Sequence, residues 1–146
     1  LSDADEKACG AKYVSKEELL HTADHVVLVL PYTPESHHTI GEKEIALMKH
    51  TATLINIARG GIVDDAALAR ALKEKKIFAA GLDVFEGEPT VNPELLKCSN
   101  VVLAPHIASA TEKTRRAMVD LAIENVIAAL SGKRPPSLIN AEVFKG

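Results

Sequence analysis

The sequence predicts an α/β protein built on a doubly wound parallel sheet. Four short apolar runs carry that expectation: His25–Leu30, Leu54–Ile57, Phe78–Val84 and Val101–Ala104, each closed by a proline, glycine or charged turn. Between them lie segments with helix-start chemistry and helical spacing, giving the order β-α-β-α-β-α. The runs are apolar at consecutive positions, most clearly in His25–Leu30 (HVVLVL), the pattern of strands covered on both faces in a parallel sheet.

The elements follow in order. Ser2 to Cys9 is a predicted short helix stopped by Gly10, and Ala11 to Val14 a predicted short strand. Ser15-Lys16-Glu17-Glu18 has the spacing of a capping box for a helix through Leu19 and Leu20. Pro31-Tyr32-Thr33-Pro34 ends the first long strand, and a polar loop from Pro34 to Thr39 leads to a short helix within Gly41–Lys49. After Leu54–Ile57 come Arg59 and the pair Gly60-Gly61, then Asp64 or Asp65 as the cap of a helix reaching about Lys75. Asn92-Pro93 opens a single turn to Lys97, and Ser109 to Glu112 offers a second capping-box spacing. The long helix beyond it carries Val119, Ala122, Ile123, Val126, Ile127 and Leu130 at helical spacing, and Gly132 ends it.

Composition narrows the function classes. With 47% hydrophobic residues among 146 there is material for one domain's core. The net charge of −3, from 17 basic and 20 acidic side chains, offers no polyanion-binding signature, so no nucleic-acid partner is expected. Lys73-Glu74-Lys75-Lys76 falls at a helix end, where cations complement the dipole. Cys9 and Cys98 stand far apart and outside any metal-binding pattern. No apolar stretch approaches the ~18 residues that a membrane span needs, and no signal peptide opens the chain, so no membrane partner and a cytoplasmic location are expected.

Three of the strand-ending turns carry an isolated polar group: Arg59, Glu88 and His106. In open parallel sheets ligands bind outside the carboxyl ends of the strands, so these three can converge. Together they form a coherent chemical set. An imidazole gives and takes a proton near neutral pH, a carboxylate on its other nitrogen holds the tautomer, and a guanidinium grips a carboxylate bidentately. Glu86 competes with Glu88 as the partner carboxylate, and spacing does not choose between them.

The other polar candidates are weaker. His37-His38 lies in a proline-flanked loop with no carboxylate or cysteine at ligand spacing, so an exposed loop is expected there and no metal site. His21, His25 and His50 sit at element ends. Ser36 and Ser109 lack a nucleophile-elbow context. Gly60-Gly61 is surrounded by neither a G-x-G-x-x-G nor a Walker sequence, so it is no phosphate loop.

The string NIARGGIVDDAALARALKEKKIFAAGLDVFEGEP, followed by NVVLAPHIASAT, closely resembles the D-isomer-specific 2-hydroxyacid dehydrogenases. Within them it looks most like the glyoxylate/hydroxypyruvate reductases and 2-ketogluconate reductases. The resemblance runs from about Ala11 to Asn140 and implies a Rossmann-like domain. It also implies that Arg59 binds the substrate carboxylate and polarises its ketone, that Glu88 rather than Glu86 is the partner carboxylate, and that His106 is the general acid/base. Leu30, Pro31, Ile57, Ala58, Asp83, Ala108 and Ser109 would line NAD or NADP, with Asp83 near the carboxamide. The glycines Gly60 and Gly61 would make room for substrate and nicotinamide.

By the same resemblance the first β-α-β with the glycine-rich phosphate loop, and the residue selecting NAD or NADP, lie upstream of Leu1. The chain is then expected to be a partial domain of a considerably longer, homodimeric enzyme and inactive alone. Residues 1–116 would be cofactor domain and residues 117–146 a connecting helix and tail returning to a substrate domain. Two relatives of different role remain open on this scaffold: NAD-sensing corepressors of the C-terminal-binding type, which carry a tryptophan after the histidine motif where this chain has Ile107-Ala108-Ser109-Ala110, and phosphoglycerate dehydrogenase.

Overall fold

A computed structural model of the chain describes residues 2–144. Four parallel strands, β1 (His25–Leu28), β2 (Thr53–Asn56), β3 (Ala79–Leu82) and β4 (Val101–Leu103), form one sheet in the order β1-β2-β3-β4. The register pairs Val26 with Leu54, Leu54 with Ala80, and Ala80 with Val101. Their carboxyl ends therefore lie along one edge.

The helices are α1 (Asp3–Cys9), α2 (Lys16–Thr22), α3 (Glu42–Leu47), α4 (Asp65–Lys73) and α5 (Glu112–Leu130), with single 3-10 turns at Pro34–Ser36, Leu95–Lys97 and Ala141–Val143. Local chemistry sets their ends. Ser2 caps α1 in a full capping box and Gly10 stops it at φ 67°. Asp64 caps α4, its carboxylate accepting from Ala67 N–H at 2.9 Å, and Arg70 and Lys73 lie in the last turn. Alanine and leucine fill α4, and Ala67, Leu68, Ala71 and Leu72 are buried.

Each strand is added on the same side of the last, so right-handed crossovers bring the connecting segments to one face of the sheet. Leu20, Ile45, Leu68, Leu72 and Leu95 pack there with Val26, Leu28, Leu54, Ala80 and Leu82 in one core. Burial of both faces, expected for His25–Leu30, is not observed. Val27 is 47% and Val29 77% exposed, and β1 alternates exposed with buried.

Three local expectations are corrected as well. Ala11 to Val14 forms no strand, and Tyr13 is exposed; β propensity without a neighbouring strand to pair with does not make one. Ser15 caps α2 through Glu18 N–H at 3.1 Å, but the return bond of a capping box is absent. The cap of α5 is Thr111, accepting from Thr114 N–H at 3.1 Å, and not Ser109.

The chain divides after His106 into two compact units. In the second unit α5 has no buried residue, and its stripe of Val119, Ile123, Val126, Ile127 and Leu130 is exposed. The tail folds back on the helix where Asn125 Oδ1 accepts from Ser137 N–H at 3.0 Å. Among the described residues, no helix is long and apolar enough to cross a membrane.

Candidate active site

The site lies in the first unit, where β2, β3 and β4 end. The apolar run of β2 closes on Asn56, which is buried in the core. A buried amide must find partners, and Asn56 finds both in the next turn: Oδ1 accepts from Ala58 N–H at 3.1 Å and Nδ2 donates to the Arg59 carbonyl at 3.0 Å. The turn carrying Arg59 is thus tied to the strand that presents it. One guanidinium nitrogen, Nη1, donates to the Ala58 carbonyl at 2.6 Å. The other donors of the fork remain available to a carboxylate.

The glycines after Arg59 serve the chain itself. A Cβ on Gly60 would lie 1.8 Å from the Phe85 carbonyl oxygen, so the turn after β2 presses directly on the loop after β3. Gly61 adopts φ 79°, and a Cβ there would meet the Tyr32 ring at 2.9 Å. The room they make is for backbone and Tyr32, and both glycines also line the cavity that Arg59 borders.

The loop after β3 carries Glu88. Its Oε1 accepts from Phe85 N–H at 2.9 Å and its Oε2 lies 2.8 Å from His106 Nδ1. Held on both oxygens, the carboxylate is fixed in place, and the hydrogen bond from His106 holds its carboxyl below the usual range. Asp65, at the start of α4, accepts from Glu86 N–H at 3.0 Å; its own burial pushes its carboxyl up to about 6. His106 sits after Pro105 at φ 54°, in a tight turn closed by its N–H on the Ala104 carbonyl at 3.1 Å. An imidazole held through Nδ1 can exchange a proton at Nε2.

Arg59, Glu88 and His106 line one cavity of about 350 Å³, together with Tyr32 and His37. Leu30, Pro31, Ile57 and Ala58 line an adjoining open cleft of about 650 Å³ at the ends of β1 and β2, and Arg59 borders both. Asp83 is buried at the end of β3, with its N–H on the Asn56 carbonyl at 3.0 Å. Ala108 and Ser109 follow His106 in the second unit and are exposed.

Two contributors, Tyr32 and Asn56, were not anticipated from sequence, and Glu86, weighed there as the partner of His106, pairs with His38 instead. Tyr32 lines both hollows. Asn56 had a legible signal, a lone amide closing a buried strand. Glu86, 48 residues from His38, meets it at 3.0 Å, supplying the carboxylate that the histidine loop lacked in sequence.

Known proteins resemble the chain in sequence and in fold. A family profile described as D-isomer specific 2-hydroxyacid dehydrogenase, NAD binding domain, matches residues 1–108. The glyoxylate reductase of Thermococcus litoralis is 53% identical over 139 residues, 95% of this chain and 42% of that protein. The structure of a glyoxylate reductase from Paecilomyes thermophila superposes with a TM-score of 0.81 at 43% identity, over 88% of this chain and 39% of that one. A D-isomer specific 2-hydroxyacid dehydrogenase from Lactobacillus delbrueckii ssp. bulgaricus, solved in its NAD complexed form, gives 0.81 at 36% identity, over 89% and 44%. The chain thus spans less than half the length of these relatives. By sequence and by fold it belongs to the D-isomer specific 2-hydroxyacid dehydrogenase family, and carries that family's NAD-binding domain.

Proposed function

We propose that the whole protein carrying this chain is an NAD(P)H-dependent oxidoreductase that reduces a small 2-oxo acid to the D-2-hydroxy acid. Glyoxylate is the first candidate substrate, with hydroxypyruvate and 2-ketogluconate beside it. The observation that carries the proposal is the 2.8 Å pairing of Glu88 with His106 in the cavity that Arg59 also lines.

The residues present fit a nicotinamide. The open cleft beside Arg59 has apolar walls from Leu30, Pro31, Ile57 and Ala58, suited to a flat ring, at the sheet edge where such cofactors bind. Asp83 at the end of β3 joins these proposed contacts. When bound, the reduced nicotinamide supplies a hydride to C2 of the 2-oxo acid.

The chain's own residues do the rest. Arg59 pairs with the substrate carboxylate and stabilises charge growing on the ketone oxygen. His106, protonated and hydrogen-bonded through Nδ1 to Glu88, gives the Nε2 proton to that oxygen as it becomes the hydroxyl. In the reverse direction neutral His106 takes it back. Glu88 keeps the imidazole oriented and holds its tautomer. Assembly as a homodimer belongs to the same proposal, with light scattering on the whole protein as its check.

The test is a substrate panel on the whole protein: glyoxylate, hydroxypyruvate, 2-ketogluconate and 3-phosphohydroxypyruvate, each with NADH and with NADPH. Reduction of one of the first three above the last supports the proposal. Reduction of none overturns it.

A further inference from the structure

Outside the Arg59, Glu88 and His106 set, three side chains converge on the surface. His38 Nε2 lies 3.0 and 3.1 Å from the two carboxylate oxygens of Glu86. The His37 ring stacks on His38 with centroids 3.8 Å apart and 22° between the planes. One donor atom from each of the three lies within 4.8 Å of the other two.

Neighbouring residues of an extended chain send their side chains to opposite faces. Here both imidazoles lie on one side, and His38 is left-handed, at φ 49°. A non-glycine residue holds that conformation only where its surroundings impose it. They do so here. His38 N–H donates to the Gly61 carbonyl at 2.8 Å, and Ile40 pairs with Val63. Ser36 Oγ donates to the Pro31 carbonyl at 2.9 Å at the start of the loop. On the opposite side the backbone of Glu86 is anchored by buried Asp65 at 3.0 Å. The Tyr32 hydroxyl lies 3.2 Å from His37 Nδ1, which leaves Nε2 as that ring's ligand atom and orients it as outer partners of metal-bound histidines do.

We propose that His37, His38 and Glu86 bind a divalent cation of the zinc class. Two imidazoles and a carboxylate suit Zn²⁺, Co²⁺ or Ni²⁺, whereas Mg²⁺ and Ca²⁺ prefer all-oxygen shells. Zinc bonds of ~2.0–2.2 Å set tetrahedral donors roughly 3.4 Å apart. The His38–Glu86 spacing of 3.0 Å is close to that need, and the exposed His37 ring, which lies stacked on His38, swings out of the stack to bring its nitrogen to the same ion. The cation replaces the proton between His38 and Glu86, and solvent completes its shell. Bound there, it clamps the loop after β1 to the loop after β3, the two loops that border Arg59. A plain His38–Glu86 ion pair is the competing description, and it calls for no metal selectivity.

The test is titration of the protein with Co²⁺, followed by its visible absorption bands, and with Zn²⁺ by calorimetry and thermal melting. Expected are one equivalent bound, no competition from excess Mg²⁺, and a rise in melting temperature with Zn²⁺. His38→Gln and Glu86→Gln should each weaken binding at least tenfold while circular dichroism stays that of the parent, and His50→Gln should bind as the parent does. Absent binding, or equal binding in Glu86→Gln and parent, overturns the proposal. So does binding that survives both variants and vanishes in His106→Ala, which would put the ion on the Glu88–His106 pair. These readouts need no substrate, so they stand or fall separately from the reductase assay.

Discussion

Gly60 and Phe85 touch backbone to backbone: a methyl group on Gly60 would stand 1.8 Å from the Phe85 carbonyl oxygen and 2.3 Å from its carbonyl carbon. The contact joins the turn that presents Arg59 to the loop that presents Glu88. Backbone cannot swing aside as a side-chain tip can. Gly60→Ala should therefore cost about 3 kcal/mol or more, at the upper end of overpacking penalties. Gly87→Ala, with φ 79° but nothing within 4 Å, should cost only the conformational penalty of about 1 kcal/mol. Urea denaturation of the two variants checks the contrast, and equal losses would contradict it.

Asp65 makes stability depend on pH. Its carboxyl titrates near 3.8 in the unfolded chain and at about 6 in the folded one, because it is buried. Between those values the folded state holds a proton that the unfolded state has released, so stability falls as pH rises through that window. Above pH ~6 the whole penalty is present, up to about 3 kcal/mol at ~1.4 kcal/mol per unit. Asp65→Asn keeps an acceptor for Glu86 N–H and has no charge to desolvate. Relative to the parent, it should gain stability from pH 4 to pH 7, measured by denaturation at each pH. A pH-independent difference would contradict the account.

Asn56→Ala removes both brackets of the Arg59 turn and strands the Ala58 N–H and the Arg59 carbonyl. The Ala58 N–H is buried, and left unpaired it costs about 1–3 kcal/mol. In the whole protein the same change should raise KM for the 2-oxo acid, since Arg59 loses its support without leaving the site. Steady-state kinetics beside a melting curve read both effects.

Arg59→Lys keeps the charge and loses the fork. Bidentate gripping of a carboxylate does not survive that exchange, so kcat/KM in the whole protein should fall by ~10²–10³, the scale of losing a transition-state donor. Binding of NADH, followed by fluorescence, should change far less. A conserved kcat/KM would remove Arg59 from the substrate.

How much of this was legible in the sequence depends on the distance over which each feature is decided. The four strands, the Asp64 cap and the Gly10 stop follow from residues within a turn of one another, and they appear where expected. Ala11–Val14 had strand chemistry but no neighbouring strand. The Thr111 cap turned on which of two nearby hydroxyls met an open N–H. The exposed face of β1 follows from strand order, which no local pattern reveals. At the site, topology alone placed Arg59 and His106 at the sheet edge, whereas the choice of Glu88 over Glu86 came from the family resemblance. The brace from Asn56, the Gly60–Phe85 contact and the His38–Glu86 pairing required knowledge of which loops meet across the sheet edge.

We propose His106, held by Glu88, as the proton donor to a 2-oxo acid positioned by Arg59. The most direct measurement is the turnover of the whole protein with His106→Ala, on the best substrate of the panel, beside a fluorescence titration of NADH or NADPH. If His106 donates the proton, kcat falls by ~10²–10⁴-fold while cofactor affinity stays within a few-fold of the parent. A kcat left within twofold of the parent would contradict it.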